Sequence, residues 1–265
     1  ALLAAVPIGL IFAEPNLSTS LVTVVIILCM VFSAGISYRW IGGVLAVALP
    51  FSALFIFLLT KGLVPFIHDY QAGRILAWVY PHAEKYAQNL YQQKNSIMAI
   101  SSGQLQGKGL FNTTIASVKD GNFLSAGETD FIFAINGKGL FNTTIASVKD
   151  GNFLSAGETD FIFAIIGEEM GFRGSVTVIV LMGLVVFECL YMGSKAKDMA
   201  GRLLCTGMAA LIGFQAFANI AVATQIFPNT GLPLPFISSG VSSLISIFMG
   251  MGLVLNVGLQ RKIGN

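Results

Sequence analysis

Apolar residues run along this chain in long unbroken blocks, not at the two-residue spacing of strands or the mixed spacing of amphipathic helices. Six blocks follow one another: Ala1 to Ala13, about Thr19 to Ile36, Ile41 to Thr60, about Phe161 to Gly193, Leu203 to Ile226, and about Ile237 to Leu259. A membrane-crossing helix needs about 20 residues, so the later blocks predict spans, the fourth with residues to spare for an entering turn. The first is shorter and begins with neither Met nor a basic flank, which predicts an incomplete span and not a signal peptide. The expected fold is an all-α polytopic membrane bundle. Residues 1–60 hold three spans, 61–160 form one large loop, and 161–265 hold three more spans.

Composition agrees. Hydrophobic residues make up 55% and charged residues 11%, with mean hydropathy +0.78, against about 25% charged in soluble domains. A net charge of +2 with scattered basic residues excludes a nucleic-acid surface. Cys29, Cys189 and Cys205 lie in apolar runs without metal-ligand spacing and read as small buried hydrophobes. Short basic links carry Arg39, then Lys195, Lys197 and Arg202, then Arg261 and Lys262. The positive-inside rule places them in the cytoplasm, and the large loop outside.

Within the loop, GKGLFNTTIASVKDGNFLSAGETDFIFAI occurs at 107–135 and again without a mismatch at 137–165. Solenoid repeats need three or more copies, so this reads as a duplication. Only after Asp160 does the apolar run continue far enough to cross a bilayer, since after Asp130 only the five residues FIFAI precede Asn136-Gly137-Lys138. Asp160 is therefore expected at a membrane entrance and Asp130 in a looped-out insertion. Which copy supplies a lysine to any site, Lys108 or Lys138, stays open.

Three groups of residues could carry chemistry. Asp160, Glu168 and Glu169 stand at and just inside a span, where an ionisable group costs roughly 2.5 to 3.5 kcal/mol on insertion scales; the alternative is that they reach back to interfacial water. Pro228 to Ser243, PNTGLPLPFISSGVSS, cannot be regular helix and needs protein or a wet cavity around its backbone, unless it is a plain external hairpin. Gln215 and Asn219 share one helix face, where amides bridge helices for about 0.6 kcal/mol on average. Arg74 lies on an amphipathic stretch with Ile75, Leu76 and Trp78, which predicts an interfacial helix, with Trp78 and Tyr80 as an aromatic belt. His68 and His82 show no metal-ligand spacing.

TDFIFAIIGEEMGF, YQQKNSIMAISSGQLQGKGL and, over 215–243, QAFANIAVATQIFPNTGLPLPFISSGVSS occur in an order that resembles the SEDS family (shape, elongation, division and sporulation). These are the RodA and FtsW cell-wall glycosyltransferases. The resemblance implies the last six of ten spans, and a polymerase on the outer face of the bacterial cytoplasmic (inner) membrane. Its substrate would be lipid II, an undecaprenyl-pyrophosphate-linked disaccharide peptide, and its partner a class B penicillin-binding protein. Asp160 matches the family's essential acid and would act as general base. Arg74, Lys108 or Lys138, or a divalent cation (Mg or Mn), would stabilise the leaving pyrophosphate. Glu168, Glu169, Gln215, Asn219, Pro233, Pro235 and Ser238, within the matching motifs, would bind substrate. A lipid flippase and a non-catalytic partner of another wall-synthesis protein are the alternative functions.

Overall fold

The computed structural model describes residues 17–63, 69–109, 159–238 and 240–260, and regular structure among them is helical. In chain order the helices are α1 (Leu17–Ser33), α2 (Tyr38–Thr60), α3 (Asp69–Val79), α4 (Ala87–Ser102), α5 (Ile162–Ser194), α6 (Met199–Ala223) and α7 (Val241–Leu259). Short 3-10 turns, Glu84–Tyr86 and Thr159–Phe161, precede α4 and α5. Among the described residues, four helices are long and apolar enough to cross a membrane: Gly42–Thr60 within α2, then α5, α6 and α7. Ser18–Ser33 is apolar but shorter. The first apolar block, His68, Asp130, Lys138, Arg261 and Lys262 lie outside the described residues.

Span ends shift from their expected places for local reasons. The sixth apolar block is expected from Ile237, yet α7 begins at Val241. Phe236 has a positive φ of 64°, and the Ser238 hydroxyl accepts the Leu234 N–H at 2.8 Å, holding a turn where helix would have started. Helix α6 stops at Ala223, short of Ile226, because Gln225 turns to φ 60° and the Ile226 and Phe227 N–H groups fold back to the Ala221 carbonyl.

The chain divides into two compact units. One comprises 1–90, 183–214 and 248–265. On α2, Val44, Val47, Phe51, Leu54 and Phe57 are exposed, an apolar face of the extent that marks a membrane surface. Inside, the Thr206 hydroxyl donates to Ser33 at 3.0 Å, tying α6 to α1, and Cys189 and Cys205 are buried as small hydrophobes. Helix α3 carries Arg74, and Trp78 and Tyr80 at its end are exposed.

The other unit comprises 91–182 and 215–247. Its core gathers Ala99 of α4, Phe161 to Ile165, Ala216, Val222 and Ala223 of α6, and Leu234 of the proline-rich segment. The inner stripe of α4 is unusual in being partly polar: Gln93, Asn95 and Ser96 are buried beside Ala99. Buried polar groups need partners, and here the ragged end of α6 supplies them. Gln93 Nε2 donates to the Val222 and Phe227 carbonyls at 3.1 and 2.8 Å, and the Ser96 hydroxyl donates to Ala223 at 2.7 Å. A loop helix thus caps a membrane helix.

Candidate functional site

Helix α5 is broken. At Gly171 the backbone takes φ 66°, ψ −162°, a combination essentially confined to glycine. The break separates a half-helix, 162–170, from an uninterrupted helical run, 172–194, whose 23 residues rise roughly 34 Å at 1.5 Å each and suffice alone to cross a bilayer. Breaking a helix frees carbonyls on one side and N–H groups on the other, and where these are buried they need new partners. The segment Gly103–Gly109 provides both kinds. Lys108 and Gly109 donate their N–H groups to the Glu168 and Glu169 carbonyls, each at 2.9 Å, while the Gln104 and Leu105 carbonyls accept from Phe172 at 2.8 Å and Arg173 at 3.4 Å. Lys108 Nζ completes the clasp on Glu168 Oε1 at 2.7 Å.

Backbone approaches this closely only without side chains in the way. A Cβ on Gly103 would run into the Gly167 carbonyl, one on Gly107 into that of Glu169, and one on Gly171 into the Gly107 nitrogen. The clasp accounts for the Glu168 carboxylate. Glu168 and Glu169 are 1% and 6% exposed, so neither reaches interfacial water. Glu168 instead meets a lysine brought in from the loop.

Asp160 sits in the turn just ahead of the half-helix and is itself buried, 3% exposed. Asn219 holds that turn: its Nδ2 donates to the Asp160 carbonyl at 2.7 Å and to the Leu232 carbonyl at 2.8 Å. Asn219 Oδ1 is buried without a hydrogen-bond partner, as is Gln215 Oε1 one turn away. The proline-rich segment packs into protein and is not an external hairpin. Leu232, Leu234, Pro235 and Ser238 are buried and Pro233 half-buried. A cavity of about 390 Å³ opens beside the break, between Ile100 and Gln104, Phe163, Phe172, Val176 and Ile220. Its Ser101, Ser175 and Thr224 hydroxyls donate to carbonyls of their own helices, leaving apolar walls, and Asp160 does not line it.

Of the residues singled out from sequence, the structure brings Lys108 to Glu168 and Asn219 to the Asp160 backbone. Arg74 belongs to the other compact unit. Among the described residues no three His, Cys, Asp or Glu side chains converge as a metal site. Sequence reasoning passed over Gly103, Gly171, Gln93 and Ser96. The signals available were the three glycines in SGQLQGKG, a glycine two residues after an acid pair within an apolar block, and polar residues three apart on a loop helix.

A multi-pass helical membrane protein with a broken span, a loop that clasps the break, and a buried acid at the head of the half-helix is the class that fold and site define. The chain belongs to the cell cycle protein family of FtsW, RodA and SpoVE, whose profile matches residues 1–141 and 135–263. The match runs through the first repeat copy and restarts just before the second. Among curated relatives, the peptidoglycan glycosyltransferase MrdB of Escherichia coli K12 is 28% identical over 97% of this chain, and FtsW of Bacillus subtilis 168, a probable peptidoglycan glycosyltransferase, is 30% identical over 96%. The chain spans 58% and 54% of their lengths. A solved chain from a peptidoglycan synthase complex that coordinates polymerization and crosslinking is 26% identical, with TM-score 0.65 over all of this chain and 62% of that one.

Proposed function

We propose that this chain forms part of a glycosyltransferase that polymerises lipid II into glycan strands at the outer face of the bacterial cytoplasmic membrane, with Asp160 as general base. The observation that carries this reading is the fixing of the acid-bearing half-helix at both ends: Asn219 holds the Asp160 backbone, and the Gly103–Gly109 clasp holds residues 168 and 169. A general base needs positional precision before anything else. The Asp160 carboxylate takes the proton from the acceptor sugar's hydroxyl as that oxygen attacks the donor's anomeric carbon, and the bond to undecaprenyl pyrophosphate breaks. Because the side chain is buried in this structure, substrate entry must uncover it.

Glu168 lies eight positions beyond Asp160, across the end of the 3-10 turn and nearly two turns of α-helix, roughly 12 Å along the axis at about 1.5 Å per residue. The Lys108 ammonium, tied to Glu168, therefore does not touch the reacting hydroxyl, and Lys108 and Glu168 act as positioning residues. Among the described residues no three His, Cys, Asp or Glu side chains come together, so a divalent cation at the leaving pyrophosphate would rest on one or two carboxylates and the phosphates themselves. A class B penicillin-binding protein is the partner this reading expects.

Broken helices also build carriers, whose freed backbone groups bind the cargo. Here the clasp takes up two carbonyls and two N–H groups at the break, which favours a held catalytic helix over a transport site. Fluorescent lipid II in vesicles carrying the full-length protein separates the two. Polymer supports a glycosyltransferase, and transbilayer movement without polymer refutes it.

A further inference from the structure

We infer that only the first repeat copy can close the break in α5, and that Gly103, which lies ahead of the repeat, is the residue that selects it. From Gly107 and from Gly137 onward the copies are identical, so the lysine and its flanking glycines give no basis for choice. The copies differ in what leads into them. Gly103-Gln104-Leu105-Gln106 precedes the first and Phe133-Ala134-Ile135-Asn136 the second. Gln104 and Leu105 serve through backbone carbonyls, which Ala134 and Ile135 carry equally well. Gly103 is another matter. A Cβ there would collide with the Gly167 carbonyl oxygen and come within 2.9 Å of the Glu168 oxygen. Both are helix backbone and cannot swing aside as a flexible side chain would. Phe133, at the corresponding place, brings a Cβ and an aromatic ring besides.

Three consequences follow for this chain. The lysine that meets Glu168 is Lys108, and Lys138 has no part in the clasp. The site is composite, taking its clasp from the head of the first copy and Asp160 with Glu168 from the tail of the second. Residues 109–138 are then an insertion: removing them joins Lys108 to Gly139 and restores one unbroken copy behind the same Gly103.

Disulfide trapping tests this without reference to catalysis, in full-length protein whose Cys29, Cys189 and Cys205 are replaced by alanine. The direct backbone bond from Lys108 to Glu168 keeps their Cα atoms within disulfide reach. Lys108→Cys with Glu168→Cys is expected to cross-link on mild oxidation at least ten times faster than Lys138→Cys with Glu168→Cys. Adding Gly103→Phe is expected to abolish the first cross-link, and excising 109–138 to preserve it. Comparable trapping at position 138, or trapping at 108 that survives Gly103→Phe, overturns the inference. If the paired cysteines prevent folding, the melting temperatures of Lys108→Ala and Lys138→Ala decide: only the first is expected to fall, and equal falls overturn it.

Discussion

Removing the Lys108 ammonium should destabilise the protein more than removing the Glu168 carboxylate, although both changes break the same ion pair. The two ends differ in access to water, the lysine side chain being 23% exposed and the glutamate 1%. Stripping one partner from a buried pair costs about 3 to 5 kcal/mol, because a charge stays behind in a poor solvent. Lys108→Met leaves a carboxylate that water cannot reach, and falls near the lower end of that range because the lysine was itself partly hydrated. Glu168→Gln leaves an ammonium on a flexible stem that can turn outward, at a cost of about 1 kcal/mol. The double variant carries neither charge of the pair and should be more stable than Lys108→Met alone, giving a coupling of roughly 2 kcal/mol. The backbone bonds at the break persist in all four proteins, so the loop stays docked and the cycle reads the side chains. Thermal and denaturant unfolding of the purified full-length protein in detergent measures it. Additive single effects, or Glu168→Gln as the more damaging change, would refute the reasoning.

Other substitutions probe the same architecture. Gly171→Ala forces a side chain into a glycine-only conformation against the Gly107 nitrogen and should cost at least about 1 to 3 kcal/mol. Gly183→Ala in the uninterrupted part of α5, where a Cβ meets nothing within 4 Å, should be neutral or stabilising by about 0.5 to 1 kcal/mol; a melting comparison reads both signs. Asn219→Leu withdraws the donor from the Asp160 and Leu232 carbonyls, and should lower polymerisation kcat by about 100-fold with KM for lipid II little changed, as expected for a misplaced base. Ser96→Ala strips the Ala223 carbonyl at the end of α6 of its donor and should lower stability by about 1 to 3 kcal/mol in unfolding experiments.

Spans were legible because a block of some twenty apolar residues has few alternatives to a membrane helix. The order of the spans that the described residues hold, and the surplus length of the fourth block, could be read directly. Gly171 could not: a glycine within an apolar block is compatible with an unbroken helix, and only the docking of Gly103–Gly109, sixty-odd positions earlier, makes the break affordable. For the same reason the sequence leaves an interfacial alternative open for the acid pair, since nothing local to Glu168 announces the lysine that meets it. Asn219 was read as interhelical glue. It is glue of a different kind, bonding the backbone of the Asp160 turn and of the proline-rich segment. The choice between repeat copies was hidden in Gly103, four residues ahead of the repeat.

Strand synthesis by the full-length protein carrying Asp160→Asn is the most direct measurement. The amide matches the carboxylate in size and leaves the backbone bond from Asn219 in place, so the variant should melt like the parent, yet it cannot take up the hydroxyl proton. Labelled lipid II is expected to remain unpolymerised. Glycan strands of normal length and yield from that variant would contradict Asp160 as the base.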